Sequence, residues 1–196
     1  MLFSIISLLV CIVAFVWLFT ALRATGISAS EMIKWWRHQF KYYRTQARAN
    51  GWLNKSSLRN LSYFFALDFL LILGITGFIQ PWLFIKPMSG LLLMLHLTVA
   101  PLFSLALLFF VLFWAHKQRL VKEETSLNLR LKICFWTTLI LASSAIIAIG
   151  LSMFPLAGTQ AQIILLAVHK YVAVALIAAV IVYSFYAIRM FMQKND

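Results

Sequence analysis

Residues 91–103, LLLMLHLTVAPLF, and residues 162–176, QIILLAVHKYVAVAL, decide the fold, because each is an apolar run that contains one histidine. Five apolar runs occur along the chain, at about 2–22, 61–84, 91–114, 133–154 and 163–188. Each run is long enough to cross a bilayer, which takes roughly 20 residues of helix. Only 11% of the residues are charged, whereas soluble domains have about a quarter. The sequence therefore predicts an all-α integral membrane protein with five transmembrane helices.

The positive charge lies in one set of loops. Of the seventeen Lys and Arg residues, all but Lys86 and Lys170 fall within 23–59, 117–132 and 189–194, which share one side of a five-span chain. Short basic loops stay in the cytoplasm, so we expect a multi-pass protein of the cell inner (plasma) membrane with its N-terminus outside and its C-terminus cytoplasmic. The net charge of +12 then reflects topology and attraction to anionic lipid, and no nucleic-acid partner is expected.

Four segments are predicted along the chain. They are an N-terminal transmembrane helix at 1–24, an amphipathic cytoplasmic-side segment at 25–58, a four-helix core at 59–190 and a C-terminal tail at 191–196. The first run is interpreted as a retained helix, because its positive charges follow the apolar stretch, the reverse of the order in a signal peptide.

The segment at 25–58 is predicted to contain an amphipathic interfacial helix. Ser28 and Glu31 have the spacing of a capping box, which marks a helix start. Apolar and basic residues then recur at helical spacing on different faces: Met32, Trp36, Phe40, Tyr43 and Ala47 on one, and Lys34, Arg37, Lys41, Arg44 and Arg48 on the remaining surface. Such a helix contacts membrane lipid at the interface, and a docking platform for a cytoplasmic partner is the alternative.

His96 and His169 are expected at matched depth. If their spans begin near Gly90 and Gln162, the two histidines lie six and seven residues inside, or roughly 9 and 10 Å at the helical rise. Ionisable residues within spans are rare and usually functional. Two imidazoles at one level suit the two axial positions of a haem iron, a six-coordinate arrangement typical of electron transfer. The alternative is that each histidine only forms hydrogen bonds between helices.

Four further residues on the outer side fit a wide planar ligand. Gly74 and Gly77 lie in the outer half of the second span, where small residues let a flat macrocycle approach the backbone, although they serve close helix packing equally well. Lys86 and Lys170 are the only cations predicted outside, and either could neutralise a haem propionate.

Asp68 is the only acidic residue within a predicted span. An intramembrane carboxylate is costly and is a functional candidate by default. It could accept a proton from a quinol or form a hydrogen bond with a quinone. The alternative is a protonated side chain bonded to Ser62, Thr76 or Ser143.

Residues 59–77, RNLSYFFALDFLLILGITG, resemble the R-x-x-H-W…F-x-x-L-x-x-T-G helix of the cytochrome b subunits of formate dehydrogenase (its gamma subunit), NiFe hydrogenase and thiosulfate reductase, which are similar to prokaryotic cytochrome b561. The resemblance covers about residues 57–190 and implies a four-helix haem-binding core, with the first helix as an addition. It implies that His96 and His169 ligate an outer haem b.

The sequence departs from this family at the inner haem site. The two positions that hold the inner histidine ligands in the family are Ser62 and Tyr183 here, although Arg59 is retained. The resemblance therefore implies one haem. A second haem is possible if His38 and His116 ligate it together, but both positions also suit ordinary interfacial histidines. No C-x-x-C-H motif occurs, so covalent haem attachment is not indicated.

The leading functional expectation is a membrane-anchor subunit that passes electrons between the quinone pool and a redox partner. This partner would be a periplasmic or outer-face redox subunit of a larger complex, since the outer loops are too short to form a catalytic domain. The chain itself would be a non-catalytic electron-transfer subunit of an oxidoreductase complex. A non-redox scaffold or assembly subunit is the alternative. A transporter is disfavoured, because paired broken helices and inverted repeats are missing from the sequence.

Overall fold

A computed structural model of the chain describes residues 2–28, 54–84, 86–119, 125–154 and 158–195. It also describes ten positions between 30 and 48. Their regular structure is helical: α1 (Leu2–Ala24), α2 (Lys55–Leu83), α3 (Gly90–Trp114), a short 3₁₀ helix (Ala115–Gln118), α4 (Ser126–Met153) and α5 (Thr159–Asn195). Among the described residues, α1 to α5 are each long and apolar enough to cross a membrane. The prediction of helical structure with five helices able to span a membrane is confirmed for the described residues.

The helices extend beyond the apolar runs that predicted them. Helix α2 begins at Lys55, before the run at 61–84, and α5 begins at Thr159, three residues before the expected start at Gln162. Helix α5 also continues to Asn195, through most of the segment predicted as a tail. Hydropathy marks the part of a helix that lipid covers, whereas the backbone hydrogen bonds continue into the polar flanks.

The predicted capping box is present after α1. The Ser28 backbone N–H donates to Glu31 Oε2 at 2.8 Å, and the Glu31 N–H donates to Ser28 Oγ at 3.3 Å. Every described position from 30 to 48 is helical, as expected for a helix that starts at this box. The apolar face predicted for this helix lies outside the described residues: Met32, Trp36, Phe40, Tyr43 and Ala47.

The chain divides into two compact units, and residues 28–119 form the one that contains α2 and α3. These helices pair as an antiparallel hairpin that is fixed at both ends. At the turn, the Ser89 backbone N–H donates to Gln80 Oε1. At the other end, Trp114 Nε1–H donates to the Arg59 carbonyl at 2.9 Å, beside an aromatic cluster of Tyr63, Phe110 and Trp114.

The second unit combines residues 1–27 with 120–196 and contains α1, α4 and α5. Helices α4 and α5 form an antiparallel hairpin, and the buried alanines of α4 allow close packing: Ala142, Ala145 and Ala148. Helix α1 lies parallel to α5, because Phe3 contacts Tyr171 near one end and Trp17 contacts Phe185 fourteen residues further along both helices.

Candidate functional site

His96 lies on α3 and is tied to α2 through a threonine. Its Nδ1 lies 2.9 Å from Thr76 Oγ1, and Thr76 is only 2% exposed. The same hydroxyl lies 2.8 Å from the Ile72 carbonyl oxygen, which can only accept a hydrogen bond. A tautomer with the proton on Nδ1 lets the Thr76 hydroxyl keep its hydrogen bond to this carbonyl while it accepts from His96. In that tautomer the lone pair of the ring is on Nε2.

Gly77 lies against the His96 ring. A Cβ atom built on Gly77 would be 3.5 Å from His96 Cε1 and 3.9 Å from Nδ1, which is ordinary van der Waals contact. A methyl group therefore fits at this position, but a larger side chain would press on the ring. Gly74, the other predicted glycine, is half-buried one turn earlier on α2.

His169 lies on α5 and is tied to α4 through the backbone. Its Nδ1 lies 2.9 Å from the Ala145 carbonyl oxygen. A carbonyl cannot donate, so Nδ1–H donates to it and the neutral ring has its lone pair on Nε2. The backbone carbonyl thus fixes the proton of His169 on Nδ1, because it can only accept.

Each histidine bonds to a partner that lies about two helical turns from one end of its own hairpin. Thr76, the partner of His96, lies seven residues before Leu83, where α2 ends. Ala145, the partner of His169, lies eight residues before Met153, where α4 ends. These separations correspond to roughly 10 and 12 Å of helix. Distance from the helix start is less even, at six residues for His96 and ten for His169, because α5 begins earlier than expected.

The two predicted outer lysines are exposed. Lys86 lies in the connection between α2 and α3. Lys170 follows His169 directly, and its Nζ lies 6.0 Å from the centre of the Phe3 ring, at the limit of a cation–π contact. Both ammonium groups are placed to meet an anionic group in solution or at the membrane surface.

Asp68 lies on the exposed face of α2 with Phe65, Leu71 and Ile75. The alternative partners within its hairpin are otherwise engaged, since Ser62 Oγ donates to the Arg59 carbonyl at 2.7 Å and Thr76 bonds to His96. A carboxyl group is thus present on a surface that is apolar on both sides of it, which is an expensive position in lipid.

His38 and His116 are both exposed. His116 belongs to the 3₁₀ helix that follows α3. Within the described residues, no group of three or more His, Cys, Asp or Glu side chains is arranged to hold a metal ion. The proposed pairing of His38 and His116 at a second haem stays a prediction.

The sequence does not predict two hydrogen-bonding groups of the site. It suggests Thr76 only as a partner of Asp68, although a hydroxyl buried in an apolar span needs a hydrogen-bond partner. The Ala145 carbonyl has no signature in the sequence at all, because every residue has this acceptor.

Comparison of the chain with protein-family models, with curated proteins and with solved structures finds no match. The function therefore has to be inferred from the two histidines and their surroundings.

Proposed function

We propose that this chain is a membrane cytochrome b, in which His96 and His169 would hold one haem b. The observation that supports it best is that the Nδ1 atom of each ring has a partner on the neighbouring helix of its hairpin, Thr76 Oγ1 for His96 and the Ala145 carbonyl for His169. A histidine that ligates a metal almost always donates its other ring N–H to a protein acceptor, which fixes the ring and makes the ligating nitrogen more basic.

The residues around each ring fit this group. The lone pair of each imidazole is on Nε2, the nitrogen that an axial ligand presents to iron. Gly77 lies beside the edge of the His96 ring and, being glycine, places no side chain there. When bound between two neutral nitrogen ligands, haem supplies one-electron transfer rather than oxygen chemistry. The hydroxyl of Thr76 and the carbonyl of Ala145 would hold the ligand protons throughout.

Charged side chains would assist both the binding of the haem and the reaction with the quinone. Lys170 adjoins His169, and Lys86 lies in the exposed connection that follows α2; either ammonium could neutralise a propionate. Asp68 lies on an apolar exposed face that a lipid-soluble quinone can reach from the bilayer. Its carboxylate could accept the proton that a quinol releases as it is oxidised.

The chain would act as a membrane-anchor subunit in the cell inner membrane. Electrons would pass between the quinone pool and an outer-face redox subunit of a larger complex, since both histidines lie toward the ends of their hairpins that lack the basic clusters. The N-terminus would be outside and the C-terminus cytoplasmic, from the distribution of Lys and Arg. The parallel course of α1 and α5 agrees with an odd number of spans.

A non-redox scaffold is the second candidate. The bonds from His96 to Thr76 and from His169 to Ala145 each join two helices, and such bonds contribute about 0.6 kcal/mol on average in membrane proteins. Their stabilising role alone would explain both histidines. A scaffold predicts a colourless protein whose histidine variants lose only stability.

Spectroscopy of the purified protein separates the two candidates. A quinol is added anaerobically, and the reduced-minus-oxidised spectrum is recorded for the wild type, His96→Ala, His169→Ala and the exposed control His116→Ala. We expect a haem b signal that appears with quinol, persists in His116→Ala and is lost in the other two variants. A colourless wild-type protein that has been produced with ample haem would refute the proposal.

A further inference from the structure

A second candidate site lies at the opposite end of the α2–α3 hairpin, around Arg59. This arginine is half-buried, and its guanidinium carbon lies 5.6 Å from the centre of the Trp114 ring. The indole N–H of Trp114 donates to the Arg59 carbonyl at 2.9 Å, which fixes the ring beside the side chain. A flat cation is thereby held against an aromatic face.

The Nε atom of the Arg59 side chain is buried. It has no hydrogen-bond partner among the residues that the structure describes. The hairpin unit, residues 28–119, contains only two acidic residues. Glu31 accepts the N–H of Ser28, and Asp68 is nine residues from Arg59, or roughly 13 Å along α2. Among the residues that the structure describes, no acid is thus paired with Arg59, and a partly buried cation of this kind favours an anionic ligand.

Another polar side chain at this end of the hairpin also favours an external ligand. Ser57 is 1% exposed, and its hydroxyl has no partner within the described part of the chain. This end of the hairpin therefore combines the positive charge of Arg59 with the buried hydroxyl of Ser57.

We propose that Arg59, held against Trp114, binds the phosphate group of an anionic phospholipid. The planar guanidinium matches phosphate geometry through two parallel N–H donors. Tryptophan is enriched at the depth of lipid headgroups, and the cytoplasmic leaflet supplies acidic lipids. The site requires neither haem nor quinone, so it goes beyond the function proposed above and stands independently of it.

Native mass spectrometry of the detergent-purified full chain tests this site. The protein is incubated with phosphatidylglycerol, with phosphatidylcholine or with inorganic phosphate, and the bound species are counted. We expect the wild type to retain phosphatidylglycerol selectively and Arg59→Gln to bind it about tenfold more weakly, the loss typical of removing a charge-assisted hydrogen bond. Lys117→Gln, a neutralised exposed cation at the same end, is the matched control and should bind as the wild type does.

The remaining variant and outcomes make the test decisive. Arg59→Lys keeps the charge without the planar fork and should bind several-fold more weakly; it replaces Arg59→Gln if that variant does not fold. Equal retention by the wild type and either Arg59 variant would overturn the site. Equal loss in Lys117→Gln would show diffuse attraction instead. Displacement of the lipid by millimolar inorganic phosphate would show a free-anion site and overturn the lipid assignment.

Discussion

Replacing Thr76 with valine removes the acceptor of the His96 Nδ1–H while it keeps the shape of the side chain. The lost hydrogen bond contributes about 1 kcal/mol, and the buried N–H left unpaired adds at least about 1 kcal/mol. Because Thr76 is 2% exposed, water cannot easily replace the hydroxyl. A total near 2 kcal/mol corresponds to roughly 30-fold weaker haem binding, within the range of about 10–100-fold seen when partners of metal ligands are removed.

The midpoint potential of the haem should rise in the same variant. Donation to Thr76 makes the imidazole more electron-rich and favours the oxidised iron, so its loss favours the reduced iron. A differential effect of about 1 kcal/mol corresponds to roughly 40 mV for one electron. Haem titration and a redox titration measure the two effects. Thr98→Val is the matched control, since the exposed Thr98 hydroxyl donates only to the Met94 carbonyl of its own helix. Wild-type affinity and potential in Thr76→Val would refute the assigned role of this hydroxyl.

Substitutions at three other positions give separate checks. Gly77→Ala should leave the haem spectrum unchanged, because its Cβ would be 3.5 Å from His96 Cε1, whereas Gly77→Leu should displace the ring and lower haem content; equal spectra would contradict this contact. Asp68→Asn should slow quinol-driven haem reduction and leave the dithionite-reduced spectrum intact, and an unchanged rate would remove the proton role. Thr138→Val should raise the free energy of unfolding by about 1 kcal/mol, because the buried Thr138 hydroxyl lacks a partner among the described residues; a lower melting temperature would show that it has one.

Several features of the fold could be predicted from the sequence because they depend on local chemistry. Long apolar runs give five helices, since backbone polar groups in lipid have to be satisfied within the segment. Ser28 and Glu31 give the capping box, because its two hydrogen bonds depend only on residue type and spacing. Histidines inside such runs are easy to recognise, because ionisable residues are costly in lipid and are therefore rare there.

Helix partners could not be predicted in this way. Helix α1, which was expected only as an addition before the core, lies along α5 through Phe3 and Trp17. Its residues are apolar on every side, with a mean hydropathy of 2.9, so no polar face indicates which side packs. The buried stripe of Ser7, Cys11 and Ala14 consists of small residues, whose role depends on the neighbouring helix.

The candidate site likewise has some features that the sequence predicts and others that depend on helix pairing. His96 and His169 could be selected from their positions in the sequence, but their acceptors could not. The sequence predicts the Thr76 hydroxyl only as one of three alternative partners of Asp68, and the Ala145 acceptor is a backbone atom. The Nδ1 contacts of the two rings, which are the main support for a ligand role, depend on these acceptors and hence on helix pairing.

Electron paramagnetic resonance of the oxidised protein, with haem and protein quantified in the same sample, tests most directly whether Nε2 of His96 and Nε2 of His169 bind one iron. We predict one haem per chain with a low-spin signal, and conversion to high spin or loss of haem in both His96→Ala and His169→Ala. A low-spin signal that survives unchanged in either variant would contradict the shared ligation.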